Sequence, residues 1–257
     1  MAKYIFLGTL HPTRLPFNIT NVLHFEQDVP LLDDRFVLDQ GSLEIRNGKF
    51  QLTLETTETP VHIPTLKIRA EEIIRGIVDF CGYVSGFVYF IDIESVAEDH
   101  GNPRRFGMGA KEIADDRPQR PVQELAQYAL ILAKEPSLPR ILGELRNSIM
   151  FPNDTAFHCY RAIETIRGYF DRRLGLKESD DRARAWRTMR EALRFDRSYI
   201  QAIQDSAETQ RHGKRRPMTA EQRVEAMLHT WNVVDRFIVY IDRGFQILPD
   251  ADYTQLS

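Results

Sequence analysis

A basic turn beside a histidine is the part of this sequence best suited to chemistry. Arg211 and His212 lie at the end of a predicted helix, and Lys214, Arg215 and Arg216 follow them. A histidine exchanges a proton near neutral pH, and an arginine binds phosphate through two parallel hydrogen bonds. Such a pair suits cleavage of a phosphodiester, in which a 2′-hydroxyl loses its proton and the charged intermediate needs stabilising. His212 and Arg211 are therefore the candidate catalytic residues.

The same residues also have a structural interpretation. A cation in the last turn of a helix is favoured by the helix dipole, and Gly213 supplies a left-handed cap there. Basic side chains on a helix are also typical of a solvated surface with ion pairs. The residues alone leave both interpretations of His212 open.

An earlier helix, predicted over Thr155–Phe170, is expected to face this turn. Asn153 or Asp154 is the predicted N-terminal cap of that helix. Five basic residues are candidates for binding nucleic acid, namely Arg161, Arg211, Lys214, Arg215 and Arg216. Three further residues complete the predicted pocket, namely His158, Glu164 and Glu208.

The charge distribution favours a local contact with phosphate over a bulk attraction to nucleic acid. The net charge is -3 over 257 residues. Residues 1–60 carry five basic and eight acidic side chains, whereas residues 167–216 carry fourteen basic and eight acidic ones. A basic face in the second half could therefore contact a polyanion.

The elements that must position these residues are helices. Apolar residues with a period near 3.6 predict six helices from Val122 onward, joined by short connections, which is typical of a helical bundle. The second of them, Leu138–Met150, has a predicted apolar stripe of Ile141, Leu142, Leu145 and Ile149. The last begins after Thr219, whose hydroxyl forms a predicted capping box with Gln222.

The first half is predicted to be an antiparallel sheet with one helix. Its clearest signal is a β-hairpin, in which Ser42–Arg46 and Lys49–Leu54 flank an Asn47-Gly48 turn that tolerates positive φ. Leu66–Tyr83 has the periodicity of a helix. Residues Phe87–Ile93, nearly all apolar, are predicted to form a central strand.

The fold class is therefore predicted to be α+β: residues 1–115 form an α+β domain with an antiparallel sheet and one helix, and residues 120–245 form an all-α bundle. No apolar run is long enough for a membrane span, so we expect a cytoplasmic protein with no membrane contact. Cys81 and Cys159 are predicted to be buried free thiols. The histidines and cysteines have no zinc-site spacing, and we expect no metal and no cofactor.

Two segments of the second half together resemble the HEPN superfamily. They are YRAIETIRGYF, residues Tyr160–Phe170, and AETQRHGKRRPMT, residues Ala207–Thr219. The resemblance covers roughly residues 120–245 and implies an all-α bundle that often dimerises. HEPN domains occur in prokaryotic toxin–antitoxin, CRISPR and phage-defence proteins. Many are metal-independent ribonucleases, and others are inactive modules that bind RNA or dimerise.

The chain departs from the catalytic signature of that family. The signature places an Arg several residues before the His, which here corresponds to Asp205, Ser206 or Ala207, and Arg211 points about 100° away from His212 around the helix. The resemblance therefore favours a HEPN-like module that has lost catalysis.

Three hypotheses follow for the function. The first is a non-catalytic HEPN-like module that binds RNA or regulates a partner, in a defence or toxin–antitoxin setting. The second is a metal-independent ribonuclease with His212 as the base and Arg211 or Arg161 holding phosphate. The third is a structural protein that forms a homodimer through its helical bundle.

Overall fold

The structure is a computed structural model, and it describes residues 1–13, 18–19, 21–31, 35–99, 101–106, 125–176, 182–211 and 218–257. The chain divides into two compact units, Met1–Gly109 and Ala110–Ser257. The first unit contains an antiparallel sheet with one helix, and the second is helical. The predicted α+β class is confirmed.

The first unit is a six-stranded sheet in which all neighbouring strands are antiparallel. The strand order across the sheet is β2-β3-β4-β1-β5-β6. The strands are β1 Ala2–His11, β2 Leu23–Pro30, β3 Phe36–Arg46, β4 Lys49–Thr56, β5 Phe90–Glu98 and β6 Arg104–Arg105.

The predicted hairpin is confirmed and is longer than expected. Asn47 and Gly48 have φ of 52° and 72°, the left-handed values that a tight hairpin turn needs. Arg46 pairs with Lys49 on either side of the turn. The alternating apolar side chains of β3 and β4 point to one buried face, as the period of two requires.

That face is covered by one helix, α1, which spans Ile63–Ser85. A proline lies in its first turn, where a missing N–H costs nothing. Leu66, Ala70, Ile74 and Val78 recur at every fourth position and are all buried against the sheet.

A buried group of charges joins α1 to the sheet. Nε of Arg69 lies 3.1 Å from Oδ2 of Asp39, and Nη1 lies 3.0 Å from Oε2 of Glu58. Asp39 is fully buried, and its burial raises the pKa of the carboxyl group, an effect partly offset by the Thr56 hydroxyl and by the positive charge of Arg69. A charge at this depth is tolerated only because it is paired.

The predicted central strand over Phe87–Ile93 is confirmed in part: β5 lies inside the sheet between β1 and β6, but residues 87–89 are not in it. The strand β5 begins only at Phe90, and on the side away from β1 its partner β6 has two residues. Phe87, Val88 and Phe90 are exposed. An apolar run looks the same in sequence whether it lies inside a sheet or near its edge, because strand order depends on long-range pairing.

The second unit contains six described α-helices. They are α2 Leu125–Lys134, α3 Leu138–Met150, α4 Thr155–Arg173, α5 Arg182–Leu193, α6 Gln201–Arg211 and α7 Ala220–Asp242. Helix α4 lies at the centre and packs against α3, α5, α6 and α7. The capping box of Thr219 and Gln222 at the start of α7 is confirmed.

The residues after α7 belong to the bundle, which the predicted boundary at residue 245 did not anticipate. Leu248 is fully buried, and its N–H donates to the carbonyl of Ala192 at 3.1 Å. Arg236 donates to the carbonyl of Thr254 at 2.7 Å. No helix within the described residues has both the length and the apolar character needed to cross a membrane.

Candidate functional site

The end of α6 lies against the first turn of α4, and one side chain makes the connection. Oε1 of Gln210 accepts a hydrogen bond from the N–H of Phe157 at 3.1 Å, and Nε2 donates to the carbonyl of Asn153. Asp154 is the N-terminal cap residue of α4, but its side chain makes no capping hydrogen bond. Asp154 therefore occupies the predicted cap position without making the predicted capping hydrogen bond, and Gln210 of another helix accepts from the free N–H of Phe157 instead.

The basic turn continues from this point. Arg211 is the last residue of α6, and the position of its side chain is not described. His212, Gly213, Lys214, Arg215 and Arg216 lie outside the described residues. The last described residues before the predicted turn therefore lie beside the start of α4.

His158 and Arg161 meet on the same carboxylate, which belongs to Glu144 of α3. Nδ1 of His158 lies 2.7 Å from Oε2 of Glu144, and Nε of Arg161 lies 3.0 Å from Oε1. The side chain of Glu144 is 8% exposed, that of His158 14% and that of Arg161 35%. The guanidinium of Arg161 also lies over the ring of Phe157, 5.3 Å from its centroid.

The chemistry of this cluster follows from its hydrogen bonds. When His158 is neutral, a proton on Nδ1 directed at Glu144 leaves Nε2 as the acceptor. Only one of the five N–H groups of a guanidinium is needed for the bond to Glu144, and the side chain of Arg161 is partly exposed. Arg161 can therefore hold an anion while Glu144 keeps it in place.

Glu144 was not among the predicted site residues, although its position among the buried residues of α3 indicates a special role. The buried residues of α3 are Leu138, Ile141, Glu144, Leu145 and Ser148. A carboxylate at such a position must have buried partners. Leu142, which was predicted to lie on the apolar stripe, is exposed instead.

Of the other two predicted pocket residues, Glu164 shares α4 with Arg161, and Glu208 is not brought into this cluster. Glu164 is half-buried on α4, and Glu208 is exposed on α6. Among the described residues, no hydrogen bond or ion pair joins Glu208 to His158 or Arg161. Ala207, one of the positions where the resemblance to HEPN domains would place an arginine, is fully buried in the core of the bundle.

A cluster of arginines forms a second basic feature, on α5 and the turn after it. The positive charges of Arg197 and Arg187, together with burial as the larger effect, lower the pKa of Arg190. None of the three arginines forms an ion pair with another described residue. Arg187 and Arg197 are exposed, as are Arg182 and Arg184 at the start of α5. We call Arg187, Arg190 and Arg197 the arginine cluster.

The family comparison assigns both units to one family. Residues 4–106 match the N-terminal domain of DUF8168, a domain of unknown function, and residues 122–242 match its C-terminal domain. The chain carries both DUF8168 domains. The Glu144 cluster and the arginine cluster both lie in the DUF8168 C-terminal domain. No curated protein and no solved structure matches the chain.

Proposed function

We propose that this protein is a non-catalytic module that binds RNA through its DUF8168 C-terminal domain. The observation that carries the proposal is the arginine cluster, in which Arg187 and Arg190 lie one turn apart on α5. Burial, and then the charges of Arg197 and Arg187, lower the pKa of Arg190, and Glu191 and Asp196 offset part of that effect. A phosphate between these side chains would relieve that repulsion and gain charge-assisted hydrogen bonds. Glu191 and Asp196 lie nearby, but neither forms an ion pair with these arginines in the described part of the chain, so the three guanidinium groups can still contact a polyanion.

Two further features support this proposal. Arg161 lies partly exposed near the start of α4, and the end of α6, which the basic residues follow in sequence, also lies beside the start of α4. The resemblance to HEPN domains supplies the expectation that the polyanion is RNA. A buried alanine at Ala207, where that family carries its arginine, favours binding without cleavage.

The test is the affinity of the purified protein for labelled single-stranded RNA, measured by fluorescence anisotropy at several salt concentrations. Replacing the arginine cluster by Arg187→Gln, Arg190→Gln and Arg197→Gln should weaken binding roughly tenfold or more. It should also reduce the slope of log affinity against log salt by about 2, because each phosphate contact on a single strand contributes about 0.7.

The matched control replaces three exposed arginines elsewhere, Arg104, Arg105 and Arg243, by glutamine. This variant has the same net charge as the cluster variant, so an equal loss of affinity would contradict a specific site. Absence of salt-sensitive binding in the wild type would favour a structural protein. Cleavage of the RNA in the presence of EDTA that disappears in His212→Ala would instead favour the ribonuclease.

A further inference from the structure

The end of α1 and the start of β5 expose an unusual amount of apolar surface. Residues 80–90 contain no charged side chain, in a chain of which 28% is charged. Six large side chains of this stretch are exposed, and we call them the apolar patch: Phe80 67%, Tyr83 85%, Val84 70%, Phe87 49%, Val88 70% and Phe90 43%.

A tight turn brings the two arms of the patch together. Gly86 ends α1 with a φ of 73°, and its N–H donates to the carbonyl of Gly82 at 2.8 Å. The chain then folds back so closely that a Cβ atom at Gly82 would lie 2.6 Å from the carbonyl oxygen of Phe87. The helix arm and the strand arm therefore form one continuous surface.

The patch contains both protrusions and hollows. A shallow groove of about 480 Å³ lies between the two arms and is lined by Val78, Gly82 and Val88 among others. A second groove of about 650 Å³ lies beside Phe80 and is lined by Ile19, Leu23 and Ile77 among others. The grooves are lined mainly by apolar residues, with Asp79 in the first and Asn18 in the second. Exposed aromatic rings beside such grooves allow the protrusions of one copy to fit the hollows of another.

Among the described residues, β5 pairs with only a short strand on its outer side. On the side away from β1, β6 pairs with Ser95 and Val96, and the N–H of Phe106 donates to the carbonyl of Glu94. Within the described residues no strand pairs with residues 90–93 on that side.

We propose that the apolar patch is the two-fold interface of a homodimer of this chain. The exposed area of its six side chains is on the order of 700 Å², if a buried aromatic side chain contributes about 200 Å². A stable interface needs about 800 Å² from each partner. The apolar residues that line the two grooves beside the patch, such as Ile19 and Val78, supply the remaining contact.

A second copy fits this surface better than another partner does. In a two-fold interface the same patch meets itself, and an uncharged patch does so without repulsion between like charges. The charged residues that flank the patch, Asp79 and Asp92, are acidic. Acidic flanks disfavour both a nucleic acid and an anionic membrane surface. This proposed interface lies in the first domain, and the proposed RNA-binding surface lies in the second, so neither proposal rests on the other.

The experiment is sedimentation velocity of the full chain from low micromolar to a few hundred micromolar concentration. We expect the wild type to dimerise, and Tyr83→Asp or Val88→Asp to weaken association roughly tenfold or more, because a buried charge would lie in the interface. Both residues are exposed in the chain itself, so the variants should keep the circular dichroism spectrum of the wild type. The control is Phe36→Asp, which changes an aromatic residue that is 69% exposed on β3, outside the patch, and should leave dimerisation unchanged.

Three outcomes would overturn the proposal. The wild type could stay monomeric throughout the concentration range. A dimer could survive both Tyr83→Asp and Val88→Asp, which would place the interface elsewhere. Alternatively, a monomeric wild type could bind phosphatidylcholine vesicles in a flotation assay. If the Tyr83→Asp variant did not bind them, the patch would be a membrane contact.

Discussion

Glu144 is the residue on which the ion pairs between α3 and α4 depend. Its buried carboxylate is shared by His158 and Arg161, so both positively ionisable side chains lose their partner when it is removed. The same pairing keeps Arg161 in a fixed position at the surface. Stability and any contact with an anion are therefore linked through one side chain.

We expect Glu144→Gln to lower the free energy of unfolding of the helical unit by about 2–3 kcal/mol. This is less than the usual cost of breaking a fully buried ion pair, because Arg161 is partly exposed to solvent. Denaturant unfolding followed by the fluorescence of Trp186 and Trp231, both in this unit, measures the change. The control Glu208→Gln alters an exposed carboxylate and should change stability by less than about 0.5 kcal/mol. Equal effects of the two variants would contradict the structural importance of Glu144.

The two cysteines should differ in reactivity. Burial raises the pKa of Cys159 to about 11, whereas Cys81 is half-buried beside the groove next to Phe80. The thiolate is the reactive form, so in the native protein at low concentration iodoacetamide should modify Cys81 and leave Cys159 intact. Mass spectrometry of the peptides measures this, and Cys81→Ser should abolish native labelling. Rapid modification of Cys159 without denaturant would contradict its burial.

Asp39 should make the stability of the first unit depend on pH. Its folded-state pKa is raised mainly by burial, so the folded protein binds this proton more tightly than the unfolded chain. The stability from this group is fully present below the unfolded pKa and is lost as pH rises through the folded pKa. The stability of the wild type relative to Asp39→Asn should therefore increase as pH falls from about 7 towards 4.

Hydrogen exchange of peptides from β3 and α1 provides the measurement, with wild type and variant compared at each pH. Asp99→Asn, which changes an exposed carboxylate of the same unit, is the control and should show no such trend. A difference between wild type and Asp39→Asn that shrinks as pH falls would have the wrong sign.

At the scale of elements, the contact between α4 and α6 depends on the side chain of Gln210. It accepts from the N–H of Phe157 and donates to the carbonyl of Asn153, so one amide satisfies two backbone groups near the start of α4. Because the basic turn leaves from the end of α6, this contact also determines where the turn begins.

We expect Gln210→Ala to cost about 1 kcal/mol, the usual effect of losing a cap. The amide proton of Phe157 should then exchange faster, whereas amides in the middle of α4 should be unaffected. Native-state hydrogen exchange with residue resolution measures both, and Gln204→Ala on the same helix is the control. Unchanged exchange at Phe157 would show that Gln210 is not the cap in solution.

At the scale of the whole molecule, each unit has a hydrophobic core of its own. The buried cluster of the first unit runs from Tyr4 to Val96, and that of the second from Ile131 to Leu248. A unit with a hydrophobic core of its own can in principle fold by itself. The two proposed surfaces are also divided between the units, with the apolar patch in the first and the arginine cluster in the second.

We therefore expect fragments 1–109 and 110–257 each to fold and to unfold cooperatively. Self-association should remain with the first fragment and RNA binding with the second. Circular dichroism, sedimentation and RNA anisotropy on each fragment measure the three properties. RNA binding by the first fragment, or an unfolded second fragment, would contradict this division.

The parts of the fold that sequence predicted are those controlled by neighbouring residues. Asn47 and Gly48 adopt positive φ whatever surrounds them, and the capping box of Thr219 and Gln222 is complete within four residues. The periodicity of apolar side chains similarly predicted α1 and the helices of the bundle, and their boundaries moved by only a few residues.

Tertiary structure decided the parts that join distant segments. Gln210 caps a helix that begins more than fifty residues earlier, and Glu144 meets His158 across two helices. The short partner of β5 leaves exposed an apolar run that was expected inside the sheet. Local preferences act over a few residues, whereas caps from other helices, buried ion pairs and strand order depend on packing between segments far apart in the chain.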